Sequence, residues 1–142
     1  SDNSVTWNAT PANMAKNSRF GIRIHGGLNQ SIRNKNTSNN KVYINGGDRI
    51  QSVYGGSAET GDDSASNFVT INNGKISQDV IGGHSIGGVA SLNSVTIKGG
   101  TIGEDVMGGH AVNGGKANGN IVTIKGGTIK GQIYGGKAVA AM

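Results

Sequence analysis

The chain has 142 residues, enough for one domain, but only 34% are hydrophobic and 4% aromatic, too few to fill a thick globular core. Its 26 glycines follow no G-X-Y period, which excludes collagen, and the lack of cysteine excludes disulfides and thiolate metal sites. The net charge of +5 sits within residues 1–49, where seven bases outnumber Asp2 and Asp48, yet those bases lie among Asn and Ser without aromatic interleaving, so a solvated basic face is expected and no nucleic-acid partner.

In chain order, the first element is a strand over Asn3-Ser4-Val5-Thr6-Trp7, and its partner phrase Ile24-His25-Gly26-Gly27 follows a long insert. Within the insert, Thr10 as N-cap and Pro11 at the first helical position predict a short helix through Lys16. Four further units then align without gaps: N-K-V-Y-I-N-G-G (40–47), N-F-V-T-I-N-N-G (67–74), N-S-V-T-I-K-G-G (93–100) and N-I-V-T-I-K-G-G (120–127). Their isoleucines, Ile44, Ile71, Ile97 and Ile124, are 27, 26 and 27 residues apart. Gly55, Gly82, Gly108 and Gly135 each follow their unit's isoleucine by 11 residues. The chain therefore divides into units near 1–39, 40–66, 67–92, 93–119 and 120–142.

Val-Thr-Ile alternates with the period of a strand, and the recurrent glycines break any long helix. A unit this short cannot bury its apolar side alone, but stacked copies can. The fold class is all-β: a parallel β-helix of about five coils, of either hand, with like residues in columns about 4.8 Å apart. Val42, Val69, Val95 and Val122 form one inward column and the four isoleucines a second. Val53, Val80, Val106 and Ile133 form a third, and Ile76, Ile102 and Ile129 a fourth. Ile50 is one position out of step with that fourth column, which predicts a local bulge. Asn3, Asn40, Asn67, Asn93 and Asn120 form an equally regular polar column, four residues before each Ile or Trp. Amides both donate and accept, so this column is read as a structural ladder whose Asn also tolerates the left-handed backbone of a corner.

The glycine pairs invite a phosphate-loop reading, which fails. No G-x-G occurs, and the nearest Walker-like run, Gly131 to Ala138, ends in Ala where a metal-binding hydroxyl belongs. Both glycine pairs are expected to turn corners, by positive φ or close packing. His84 and His110 stack in adjacent coils, and so do Asp79 and Asp105. Two His and two Asp suit metal binding or acid–base work. The same columns continue as Ser57 and Lys137, and as Ser52 and Gln132, and a column spreads its members along the axis. These residues are therefore read as exposed ladder positions, with no metal and no cofactor assigned. Glu59, Asp62 and Asp63 lack the G-G-x-G-x-D calcium phrase and are read as a solvated turn. Tyr54, Ile81, Met107 and Tyr134 form a column that faces outward by alternation unless the next corner rotates it inward. With His84 and His110 it is the candidate interaction surface.

The N-x-V-T-I-x-G-G-x-I and D-V-Y-G-G-like phrases, clearest from Asn40 to Gly136, resemble the passenger regions of Gram-negative autotransporters, which are β-helical surface adhesins. The resemblance implies export, an extracellular or outer-membrane-surface location, and attachment to the outer membrane only through a separate barrel domain. The leading expectation is a non-enzymatic stalk or adhesin segment that meets a host glycan or protein. The first alternative is a filament subunit that self-associates end to end, since uncapped β ends offer unpaired edges. The second is a polysaccharide-cleaving β-helix enzyme, for which Asp79, Asp105 and Glu104 are the only stacked acids.

Overall fold

The computed structural model describes residues 2–8, 21–30 and 36–141, so the helix expected over Thr10–Lys16 lies outside the described residues. The described chain winds as a β-solenoid of about four full turns, with no helix. One face stacks Ser4–Asn8, Lys41–Gly46, Phe68–Ile71, Ser94–Ile97 and Ile121–Ile124 in chain order, every pair parallel. A second stacks Ile22–Asn29, Ile50–Ala58, Val80–Ile86, Val106–Val112 and Ile133–Ala138. A third holds the short strands Thr37–Ser38, Ser64–Ala65, Val89–Ser91 and Lys116–Asn118. Five strand layers on two faces and four on the third account for the expected five units: the last layer begins a turn it does not close.

Register follows the sequence repeat directly. Ile44 lies opposite Ile71, Ile71 opposite Ile97, and Ile97 opposite Ile124, while Val53, Val80, Val106 and Ile133 align likewise. A one-residue slip would turn each Val and Ile to solvent, so burial of these columns holds the register. Val42, Ile44, Val69, Ile71, Val95, Ile97, Ile102 and Val106 are buried in one continuous apolar cluster. Full burial of such a side chain contributes about 1.5–3 kcal/mol.

The irregularity at Ile50 is real and local. Ile50 pairs with both Ile22 and Ile76 and is buried, and Gln51 is the extra residue where Arg23 meets Ser52. From Ile22 to Ile24 the inward residues are 24 − 22 = 2 apart, from Ile50 to Val53 they are 53 − 50 = 3, and from Ile76 to Val80 they are 80 − 76 = 4. The wall is therefore one continuous strand at Ile50–Ala58, but splits into Lys75–Ile76 and Val80–Ile86 in the next coil.

The asparagine column lies inside the coil. Asn40 Nδ2 donates to Asn67 Oδ1 at 2.8 Å, Asn67 Nδ2 to Asn93 Oδ1 at 3.0 Å, and Asn93 Nδ2 to Asn120 Oδ1 at 3.0 Å. The same oxygens accept the backbone N–H groups of Asn40, Asn67 and Asn93. Further Nδ2 bonds reach the third face, at Thr37 O from Asn67, Ser64 O from Asn93 and Ala90 O from Asn120. Asn40, Asn67 and Asn93 are buried, Asn120 half-buried and Asn3 exposed, with the Asn3 N–H reaching Asn40 Oδ1. A second, exposed ladder joins Asn8, Asn45 and Asn72.

Two expectations about corners are corrected. Left-handed backbone falls on the residue before the ladder amide, Asn39, Ser66, Leu92 and Gly119, and not on the amide itself. Leu92 holds φ 55° while 63% exposed, an uncommon combination for a bulky side chain. The glycine pairs also divide in role. In the pair following Val-Thr-Ile the second residue turns the corner, as at Gly100 with φ 87°. The Gly82–Gly83 pair instead lies within a strand and has no positive φ. There the backbone presses against the next coil and the amide ladder: a Cβ on Gly82 would lie 2.4 Å from Gly108 O, and one on Gly83 2.3 Å from Asn93 Nδ2.

Asn67→Ala leaves buried partners on both neighbouring coils unpaired, and is expected to lower stability by about 3–4 kcal/mol in urea unfolding. Gly82→Ala, which drives a methyl into backbone, is expected to cost more than about 3 kcal/mol. Gly61→Ala, where φ is +82° but nothing lies within 4 Å, is expected to cost only about 1 kcal/mol by the same measurement.

Candidate functional site: an aromatic and imidazole stripe on the outer wall

Gly82 and Gly83 both direct their Cβ positions inward, against Asn93, and two columns of side chains flank them. One runs His25, Tyr54, Ile81, Met107, Tyr134; the other runs Leu28, Ser57, His84, His110, Lys137. With only glycine between them, their side chains approach one another. His25 stacks on Tyr54 with centroids 4.8 Å apart and planes 4° from parallel. Tyr54 meets His84 edge to face at 6.1 Å, crossing from one column to the other. His84 and His110 lie 5.3 Å apart with a 55° tilt, and Lys137 Nζ sits 4.9 Å from the Tyr134 ring centroid.

The outward column is therefore partly a covered one. Ile81 and Met107 are each only 2% exposed, although they lie outside the apolar cluster that fills the coil. Tyr54, Tyr134, His84 and His110 are half-buried, so the imidazoles are not the exposed ladder positions the alternation implied. His25 completes the stripe and is absent from the candidates above. Its place was legible in His25-Gly26-Gly27, which matches Tyr54-Gly55-Gly56, but the insert before it hid the alignment.

Burial and like charge hold these imidazoles neutral. The pKa of His84 is lowered to about 4, by burial first and then by His110 and His25. His110 is lowered by burial and Lys137, against the opposing pull of Asp79 and Asp105. His25 is lowered by burial and Arg23, and its Nδ1 is buried without a hydrogen-bond partner.

The stacked aspartates bond to the neighbouring coil. Asp79 Oδ1 accepts the Asp105 N–H at 2.9 Å, and Asp105 Oδ1 accepts the Gln132 N–H at 2.8 Å. Ser52 Oγ donates to Gln78 Oε1 at 3.1 Å on the same corner. The acidic loop is more tightly held than a solvated turn. Asp62 is buried and accepts from Asn29 Nδ2 at 3.0 Å, while Asp63 Oδ1 accepts the Val89 N–H at 2.8 Å. Among the described residues no three His, Cys, Asp or Glu side chains come together as a metal centre. An open hollow beside Asp2, Asn3, Asn39, Lys41 and Phe68 has Asp2 as its one acid and lies at the first coil, apart from the stripe.

The folded pKa of His84 lies below its unfolded value, so the fold carries no penalty from this group above pH 6.5. The penalty grows as pH falls from 6.5 and is complete below about 4. Urea unfolding of the wild type is expected to show this loss, roughly 1–3 kcal/mol after allowance for partial exposure. His84→Gln is expected to flatten the profile over that window; a wild-type-like slope would contradict it. No known protein family matches this chain, nor does any curated protein or solved structure.

Proposed function

We propose that this β-solenoid is a non-enzymatic structural or adhesive segment, displayed at a bacterial surface, that presents its outer-wall stripe to a host glycan or protein. One observation carries this reading: four aspartates that could perform chemistry bond to the neighbouring coil. Asp62, Asp63, Asp79 and Asp105 each accept a hydrogen bond from an adjacent turn, so their carboxylates serve coil stacking and do not converge on a cleft. The half-exposed Tyr54, Tyr134, His84 and His110 offer what a recognition surface needs, namely flat rings with polar edges held in place by the turns on either side. The resemblance of the repeated phrases to autotransporter passengers supports the location. In this reading the protein's work is to hold that stripe rigid and at a distance from its anchor.

Binding of the purified chain to immobilised glycans and host matrix proteins tests the proposal. Tyr54→Ala together with Tyr134→Ala is expected to weaken a detected interaction at least about tenfold with the far-UV circular dichroism unchanged. Release of reducing or unsaturated ends from acidic polysaccharide would replace this reading with the enzyme. Particle growth with concentration in light scattering and electron microscopy would replace it with the filament.

A further inference from the structure

We propose that His84 and His110 form a two-imidazole site for a late first-row divalent cation, of the Zn²⁺ or Ni²⁺ class, on the outer wall of the solenoid, with water in the remaining positions. The two residues pair directly in register on neighbouring strands, so one coil step separates their backbones. Their ring centroids are 5.3 Å apart. A tetrahedral ion with metal–nitrogen bonds of about 2.0–2.1 Å, an angle of about 109°, and about 1.1 Å from each nitrogen to its ring centre places two centroids about 5.2 Å apart. The observed separation fits two imidazoles on a single ion, and it is close to the coil step itself, about 4.8 Å.

A column does spread its members along the axis, but one step of that spread is about 4.8 Å, short enough for two neighbours to share an ion. Ser57 and Lys137 bound the pair above and below, so it extends no further. Neither imidazole hydrogen-bonds to another side chain or to the backbone among the described residues, which leaves their ring nitrogens available. Both are held neutral, the form that ligates. The charged groups acting on His110 are Asp79 and Asp105, which favour a cation, and Lys137, which opposes one. Each carboxylate has its Oδ1 engaged by a backbone N–H of the next coil. The absence of a third converging ligand among the described residues makes this an open site of moderate affinity, imidazole being a donor suited to Zn²⁺ and Ni²⁺.

Isothermal titration of ZnCl₂ into the full chain at neutral pH is the test. One ion per chain is expected, with Kd on the order of 10 μM. His84→Ala and His110→Ala are each expected to weaken binding more than tenfold. In the unmutated protein, zinc is expected to shift the imidazole proton resonances of His84 and His110 and to leave those of His25 in place. Circular dichroism verifies that the alanine variants fold; where one does not, the resonance shifts of the wild type decide. No binding at about 1 mM zinc, undiminished binding in both variants, or a shift of the His25 resonances ahead of the pair would each overturn the proposal.

Discussion

A column of asparagine amides runs through the interior of this solenoid, and most of its other features accommodate it. A buried amide left unpaired is costly, so each must find partners within the coil. Axial stacking supplies them: each inner Oδ1 takes both the backbone N–H and the side-chain N–H of the preceding ladder residue. The remaining amide proton ties the ladder sideways to the third face, at Thr37, Ser64 and Ala90. One residue type in one column thus couples coil to coil and wall to wall. Register is thereby specified twice, by the apolar columns and by the amides, and the two agree.

The opposite wall is shaped by the same column. For the ladder to fit, the backbone across from it can carry no Cβ, and Gly55–Gly56, Gly82–Gly83 and Gly108–Gly109 provide that clearance. On the same wall Tyr54 meets His84, His84 meets His110, and Ile81 and Met107 are buried. A side chain in place of these glycines would strike the ladder.

Much of this was legible in the sequence because the solenoid is nearly one-dimensional. Alignment of Val42 with Val69, Val95 and Val122, or of Ile44 with Ile71, already states which residues touch, since each coil meets only its neighbours. The asparagine ladder and the disturbance at Ile50 could be read for the same reason. Other features depend on the cross-section of the coil, which periodicity does not encode. Alternation alone leaves the facing of Ile81 and Met107 open, and cannot say that both are buried. Asp62 reads as a loop acid until Asn29, from the coil before, is seen beside it. Leu92 gives no sign in sequence of its left-handed backbone, which its alignment with Gly119 alone suggests.

The stretch VTIKGGTIGEDVMGGH, Val95 to His110, contains the whole division. Its sequence alone determined that Val95, Ile97, Ile102 and Val106 face the core and that neighbouring coils repeat them, because period-two alternation and a constant unit length leave no other stacking that buries them. Only the tertiary structure decided that its two glycine pairs differ. Gly100 bends the chain with positive φ, whereas Gly108 and Gly109 make room for Asn120, which arrives from the following coil. The physical reason is that a glycine's steric role is set by what approaches it. Here that is a side chain from another turn of the chain.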